Sequence, residues 1–117
     1  MGLIAQLLER RSPVVHIVSP HQTVADAVAI MATRKVGAVP VVEDGHLVGI
    51  FSERDALLKL NTEFANLKDR PVSEFMTKNP ETLQANAKIA FAVQRMDLGG
   101  YRHVPIVDDQ GRLQGVI

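Results

Sequence analysis

The sequence predicts an α+β (α/β) fold made of two copies of one β-α-β-β-α unit, the second copy lacking its last helix. Three observations carry this. The chain repeats itself: Ala27, Val28, Met31, Val39, Pro40 and Val42 recur 65 positions on as Ala92, Val93, Met96, Val104, Pro105 and Val107. A one-residue insertion then moves the offset to 66, taking Gly45, Leu47 and Gly49 to Gly111, Leu113 and Gly115. One register held over about 35 residues, with its single slip inside a turn, marks a duplication. Next, Val24, Ala27, Val28 and Met31 follow the three-and-four spacing of a buried helix face. Finally, the β-branched runs AVPVV and HLVGIF flank Glu43-Asp44-Gly45, a hairpin signal because glycine tolerates the positive φ of a tight turn.

Each element can be justified in order. MGLIAQLLERR reads as a short amphipathic helix with Leu3, Ile4, Leu7 and Leu8 on one face. It is too short and too interrupted for a membrane span or a signal sequence. VVHIV (14–18) and PETL (80–83) read as short extended segments. Thr23 with Asp26 three residues on forms a capping box, with Asp in place of the usual Glu, and starts the first repeat's helix. Lys88 stands at the matching position of the second repeat, so that helix must begin differently. The second hairpin, HVPIV-DDQG-RLQGVI, carries the extra residue in its turn. SERDALLKL returns to helix, with Leu57, Leu58 and Leu60 available for packing.

The intervening NTEFANLKDRPVSEFMTKNP is polar and holds two prolines, with one helical turn expected at VSEFM. The expected division is therefore 1–61 for the first repeat with its N-terminal helix, 62–76 for a linker and 77–117 for the second repeat. A unit of roughly 50–60 residues buries too little surface to be stable alone. The two sheets are accordingly expected to pack together about a pseudo-two-fold axis. The chain stops at LQGVI, where a second Ser-x-x-Asp would begin. This predicts a fragment of a longer protein whose C-terminal edge is exposed or covered by a neighbouring chain.

Composition narrows the chemistry. The chain has 117 residues, 46% hydrophobic and 4% aromatic, so its core is aliphatic. Thirteen basic residues balance thirteen acidic ones, which leaves no net field to favour nucleic acid or an acidic membrane. There is no cysteine, hence no disulfide and no thiolate nucleophile, as suits a cytoplasmic protein. His16, His21, His46 and His103 fall in different elements without metal-ligand spacing. There is no Gly-x-Ser-x-Gly elbow and no Walker-type loop. Paired acids such as Asp108-Asp109 sit in turns, where they are common. No catalytic residue, no metal site and no tightly bound cofactor is expected.

The pattern PVSEFMTKNP, then a helix ending in Met, then apolar-Pro-apolar-Val with a Gly-x-Leu-x-Gly strand, then Ser-x-x-Asp, resembles a tandem pair of cystathionine-β-synthase (CBS) domains, or Bateman module. The resemblance runs from about Val14 to Ile117, twice in register. It implies two clefts between the repeats that bind adenosine-containing ligands such as AMP, ADP, ATP or S-adenosylmethionine, with an adenine nucleotide as regulatory ligand. It also implies a disc-like homodimer that regulates a fused or associated effector.

The resemblance assigns the ribose hydroxyls to Asp55 and the phosphate to Ser52. It extends the ligand-binding set to Arg54, Thr82, Ala87, Arg102, His103 and Val104. A carboxylate suits a vicinal diol, and the planar guanidinium of Arg102 suits a phosphate. The first-repeat equivalents of Arg102 and His103 are Gly37 and Ala38, so the two clefts are expected to be unequal. Two roles stay open for Ser52 and Asp55, since the pair is also a helix-capping box that needs no ligand. The rival reading of the whole chain is a structural or dimerisation module without a ligand.

Overall fold

The computed structural model describes residues 2–10, 16–99 and 103–117. The chain divides into two compact units, His16–Pro80 and the N-terminal segment together with Glu81–Ile117.

In the unit His16–Pro80, helix α2 (Val24–Arg34) starts at the expected capping box. Thr23 Oγ1 accepts from the Asp26 amide at 3.1 Å, and Asp26 Oδ2 accepts from the Thr23 amide at 3.1 Å. Its buried stripe of Val24, Ala27 and Met31 packs against strands β1 (Ala38–Glu43) and β2 (His46–Ser52). The strands pair antiparallel through a turn in which Asp44 and Gly45 both take positive φ, +52° and +82°. Val18, Val39, Val41, Phe51, Leu60 and Val72 complete the core.

After Ser52 the chain makes α3 (Glu53–Asp55), a π-helical stretch (Ala56–Leu60), a 3₁₀ turn (Asn61–Glu63) and α4 (Phe64–Leu67). Here one packing expectation is corrected. Leu60 is buried, but Leu57 and Leu58 are 72% and 65% exposed. The inward positions are Asp55 and Leu60, five residues apart, as the i→i+5 turn of a π-helix dictates. The residues between them therefore point outward.

The segment expected to be a linker is folded into this unit. It forms a 3₁₀ turn (Val72–Glu74), and just past it strand β3 (Thr77–Lys78), expected to open the second repeat, pairs instead with β2 at Gly49 and Ile50. Val72, Phe75 and Met76 pack on the core. The Arg70 guanidinium grips Glu74 (2.6 Å), and that hydrogen bond and charge raise its pKa above the ordinary arginine value.

The second-repeat unit follows the same plan. Helix α5 (Ile89–Gly99) lies 65 positions beyond α2 at both ends. Strands β4 (Pro105–Val107) and β5 (Leu113–Val116) pair antiparallel. The duplication reaches into the hydrogen bonds. Val18 N–H donates to Pro40 O (3.1 Å) and Val18 O accepts from Val42 N–H (2.9 Å); Leu83 does the same with Pro105 (3.2 Å) and Val107 (2.9 Å). The extended segments expected at 14–18 and 80–83 are thus, among the described residues, single parallel bridges, Val18 to Val41 and Leu83 to Ile106. Both hairpins also carry a register shift at the same place, between Val41 and Val42 and between Ile106 and Val107.

The N-terminal helix departs from the expected division. Helix α1 (Ile4–Arg10) belongs to the second-repeat unit, not the first. Ile4 N–H donates to Ala87 O (2.9 Å), and Ile89 N–H donates to Gly2 O (3.0 Å). Ile4 is fully buried with Ala92 and Ile106, and Leu8 packs beside them. Pro71 and Val72 make the matching contacts on the first repeat, where Val72 N–H donates to Gln22 O (2.7 Å) and Thr23 bridges to Pro71. The segment leading into each repeat therefore closes the core of the other. The physical reason is the same in both units: the apolar face of α2 or α5 needs a cover, and Ile4 and Val72 supply it.

Candidate functional site

The site candidates of the first repeat converge at the end of β2. Ser52 leaves the strand in an extended conformation (φ −118°, ψ 167°) and caps α3. Ser52 Oγ accepts from the Asp55 amide (3.2 Å) and donates to Asp55 Oδ2 (3.1 Å), which also accepts from the Ser52 amide (3.0 Å). This is the capping box of the sequence reading, closed on both sides. Asp55 is 7% exposed, the one buried charged residue among the described residues.

Two partners of Asp55 escaped sequence reasoning. Thr77 Oγ1, from β3, donates to Asp55 Oδ1 at 3.0 Å. Lys59 Nζ reaches the same oxygen at 2.9 Å and also donates to the carbonyls of Phe75 (2.9 Å) and Met76 (3.3 Å). The Asp55–Lys59 spacing of four was legible as a helical ion pair. Thr77 lies 22 residues from Asp55, and nothing local announces it. A buried carboxylate costs several kcal/mol unless it is paired and hydrogen-bonded, on the order of the desolvation penalty of an ion. These four donors meet that need.

Arg54 is exposed on α3, outside the cluster that Ser52, Lys59 and Thr77 form around Asp55. The remaining candidates belong to the second-repeat unit. Thr82 and Ala87 are half-buried, and the Ala87 carbonyl is used by Ile4. His103 is half-buried and engaged in an interaction of its own. Val104 is fully buried, exchanging hydrogen bonds with Ile117 in both directions (3.0 and 3.1 Å). It contributes backbone and packing there. Arg102 lies outside the described residues.

A shallow depression of about 310 Å³ on the second-repeat unit is lined by Gln84, Asn86, Asp108 and Gln114, among others, and includes none of the expected site residues. Among the described residues, no group of three or more His, Asp or Glu could hold a metal ion. Nor is any helix there long and apolar enough to cross a membrane.

Two units sharing one hydrogen-bonding plan, each with a helix laid on a bulged hairpin, define a tandem-repeat α+β module. The chain belongs to the CBS domain family, whose pattern matches residues 6–61 and again 72–117. It is 37% identical over 100 residues to the CBS domain-containing protein YhcV of Bacillus subtilis, covering 86% of this chain and 70% of that protein. Over 103 residues it is 34% identical to inosine-5'-monophosphate dehydrogenase of Thermoplasma acidophilum, covering 88% of this chain but only 20% of the enzyme. Among solved structures, a CBS-domain protein of Agrobacterium tumefaciens matches with a TM-score of 0.89 at 34% identity, covering 99% of this chain and 92% of that one. The structure of CBSX2 in complex with AMP matches with a TM-score of 0.83 at 25% identity, covering 100% of this chain and 90% of that one.

Proposed function

We propose that the chain is a regulatory ligand-sensing module that binds an adenosine-containing nucleotide, AMP, ADP, ATP or S-adenosylmethionine, and passes its state to a fused or associated effector. The observation that carries this is the buried Asp55 carboxylate, fixed by Ser52 at a strand end, in a family with an AMP-bound member at 25% identity. Asp55 accepts the ribose hydroxyls, and Ser52 faces the phosphate. Arg54 is the further candidate beside them, and Thr82, Ala87, Arg102, His103 and Val104 are the ligand-binding candidates carried by the second-repeat unit. No catalytic step is assigned to any of them, and the nucleotide is a reversible effector.

The module works as a homodimer in the cytoplasm, and the embedding of a related segment in a dehydrogenase illustrates how an effector can be attached. Sensing requires that the ligand bind one conformation better than another. The reading is tested by thermal unfolding with AMP, ADP, ATP, S-adenosylmethionine and NAD, on the wild type and on Asp55→Ala. A ligand at a hundredfold excess over its dissociation constant stabilises by about 2.7 kcal/mol. Shifts in the wild type that vanish in Asp55→Ala support the reading.

A second reading has its own observation. All the donors around Asp55 come from the protein itself, so the cluster also makes sense as a ligand-free structural joint between α3 and β3. A scaffold of that kind shows no shift with any ligand of the panel.

A further inference from the structure

The Asp55 carboxylate has no acceptor position to spare. A carboxylate accepts at about four lone-pair sites. Four donors already hold this one: the Ser52 amide and hydroxyl at Oδ2, and Thr77 Oγ1 and Lys59 Nζ at Oδ1. A vicinal diol that donates two O–H groups needs two of those sites, so two internal donors must give way.

The four are not equally free to go. The Ser52 amide is built into the capping box, whose backbone continues from β2, and the Ser52 hydroxyl is held beside it by accepting from the Asp55 amide. Thr77 is anchored in β3, but its hydroxyl can turn its hydrogen away and stay as an acceptor. Lys59 alone combines a long flexible stem with exposure, 41% of its side chain, and its ammonium is readily hydrated once released.

We propose that Lys59 is the internal occupant of the diol site, exchanged for the ligand on binding and returned when the ligand departs. The proposal rests on the reading of Asp55 as the ribose acceptor. Its consequence is a built-in link to β3. The same ammonium holds the Phe75 and Met76 carbonyls, so its release also frees the residues that lead into Thr77–Lys78. Arrival of a diol at Asp55 and loosening of this strand entry are then one event. Lys59 is thereby a determinant of affinity that need not touch the nucleotide.

The test measures AMP and adenosine binding by calorimetry on the wild type, Lys59→Met and Asp55→Asn. Lys59→Met keeps the stem and removes the competitor, so both ligands should bind about tenfold more tightly, the worth of one charge-assisted hydrogen bond. Adenosine lacks the phosphate, so its affinity isolates exchange at the diol from any attraction between Lys59 and an anion. Unchanged or weaker adenosine binding in Lys59→Met, with binding lost in Asp55→Asn, overturns the exchange while leaving Asp55 as the ribose acceptor. Undiminished binding in Asp55→Asn overturns both. An independent measurement needs no variant. Acetylation of Lys59 in the wild type should accelerate when AMP is saturating, and slower or constant labelling counts against release.

Discussion

Gly49 lies so close to Met76 that a Cβ placed on it would stand 2.5 Å from the methionine sulfur and 3.0 Å from the Thr77 carbonyl oxygen. The relation is repeated in the other unit, where a Cβ on Gly115 would stand 2.6 Å from a methyl of Leu8. These glycines occupy matching places on β2 and β5, and each receives the segment that leads into the opposite repeat.

The two glycines differ in what would have to yield. At Gly115 the obstacle is the tip of a flexible leucine, whereas at Gly49 a backbone oxygen of the paired strand stands behind the methionine. Gly49→Ala is therefore expected to cost about 1–3 kcal/mol through overpacking, and Gly115→Ala less. Urea denaturation of both variants checks the order. Equal costs, or a larger cost at Gly115, would contradict the account.

Ile4 tests the exchange of leading segments between the repeats. It is fully buried in the unit of Ala92 and Ile106, far in sequence from both. Ile4→Ala is expected to destabilise by about 2–5 kcal/mol, the range for truncating a buried aliphatic side chain. Hydrogen exchange should rise in residues 81–117 first, with residues 16–80 protected longer. The reverse pattern would return α1 to the first repeat.

How much of this was legible depends on the range of the interaction. The helices, hairpins and turn glycines rest on local spacing, so Val24 to Met31 and Asp44-Gly45 appear in the structure as the sequence predicts. The cap at Thr23 is equally local. The placement of α1 was hidden because Ile4 corresponds to Val72, a correspondence 68 residues long that matches neither offset of the repeat. Leu57 and Leu58 were misplaced because a π turn shifts the inward positions, and three-and-four counting assumes an α-helix. At the site, Ser52 and Asp55 were readable as a motif. Thr77 was not, since its hydroxyl meets Asp55 only through the pairing of β3 with β2.

Asp55 holds the first-repeat unit together even without a ligand. Asp55→Ala removes the reciprocal half of the capping box and strands the Thr77 hydroxyl and Lys59 ammonium, so a loss of about 1–3 kcal/mol is expected. For a domain of this size, 1 kcal/mol lowers Tm by roughly 4–8 °C. Thr77→Val removes one donor of four and should cost about 1 kcal/mol. Calorimetric melting of the ligand-free proteins checks both. An unchanged Tm in Asp55→Ala would show that the cluster is not a structural joint. Ligand-induced shifts must accordingly be compared with each variant's own baseline.

The two repeats offer a matched pair of helix starts. Thr23 caps α2, whereas Lys88 at the same place before α5 carries no acceptor and cannot cap. Thr23→Ala should cost about 1 kcal/mol. Lys88→Thr should give back part of that, about 0.5 kcal/mol, because an added hydroxyl can accept from the Phe91 amide, now bonded to the Lys88 carbonyl at 3.0 Å. Phe91 fills the position where Asp26 closes the box in the first repeat, and it is 47% exposed. The double change Lys88→Thr with Phe91→Asp should therefore add the reciprocal bond and exceed the single change in Tm. If the double variant melts no higher than the wild type, the start of α5 is set by its backbone bond to Gly2, through the Ile89 amide, and not by the missing cap.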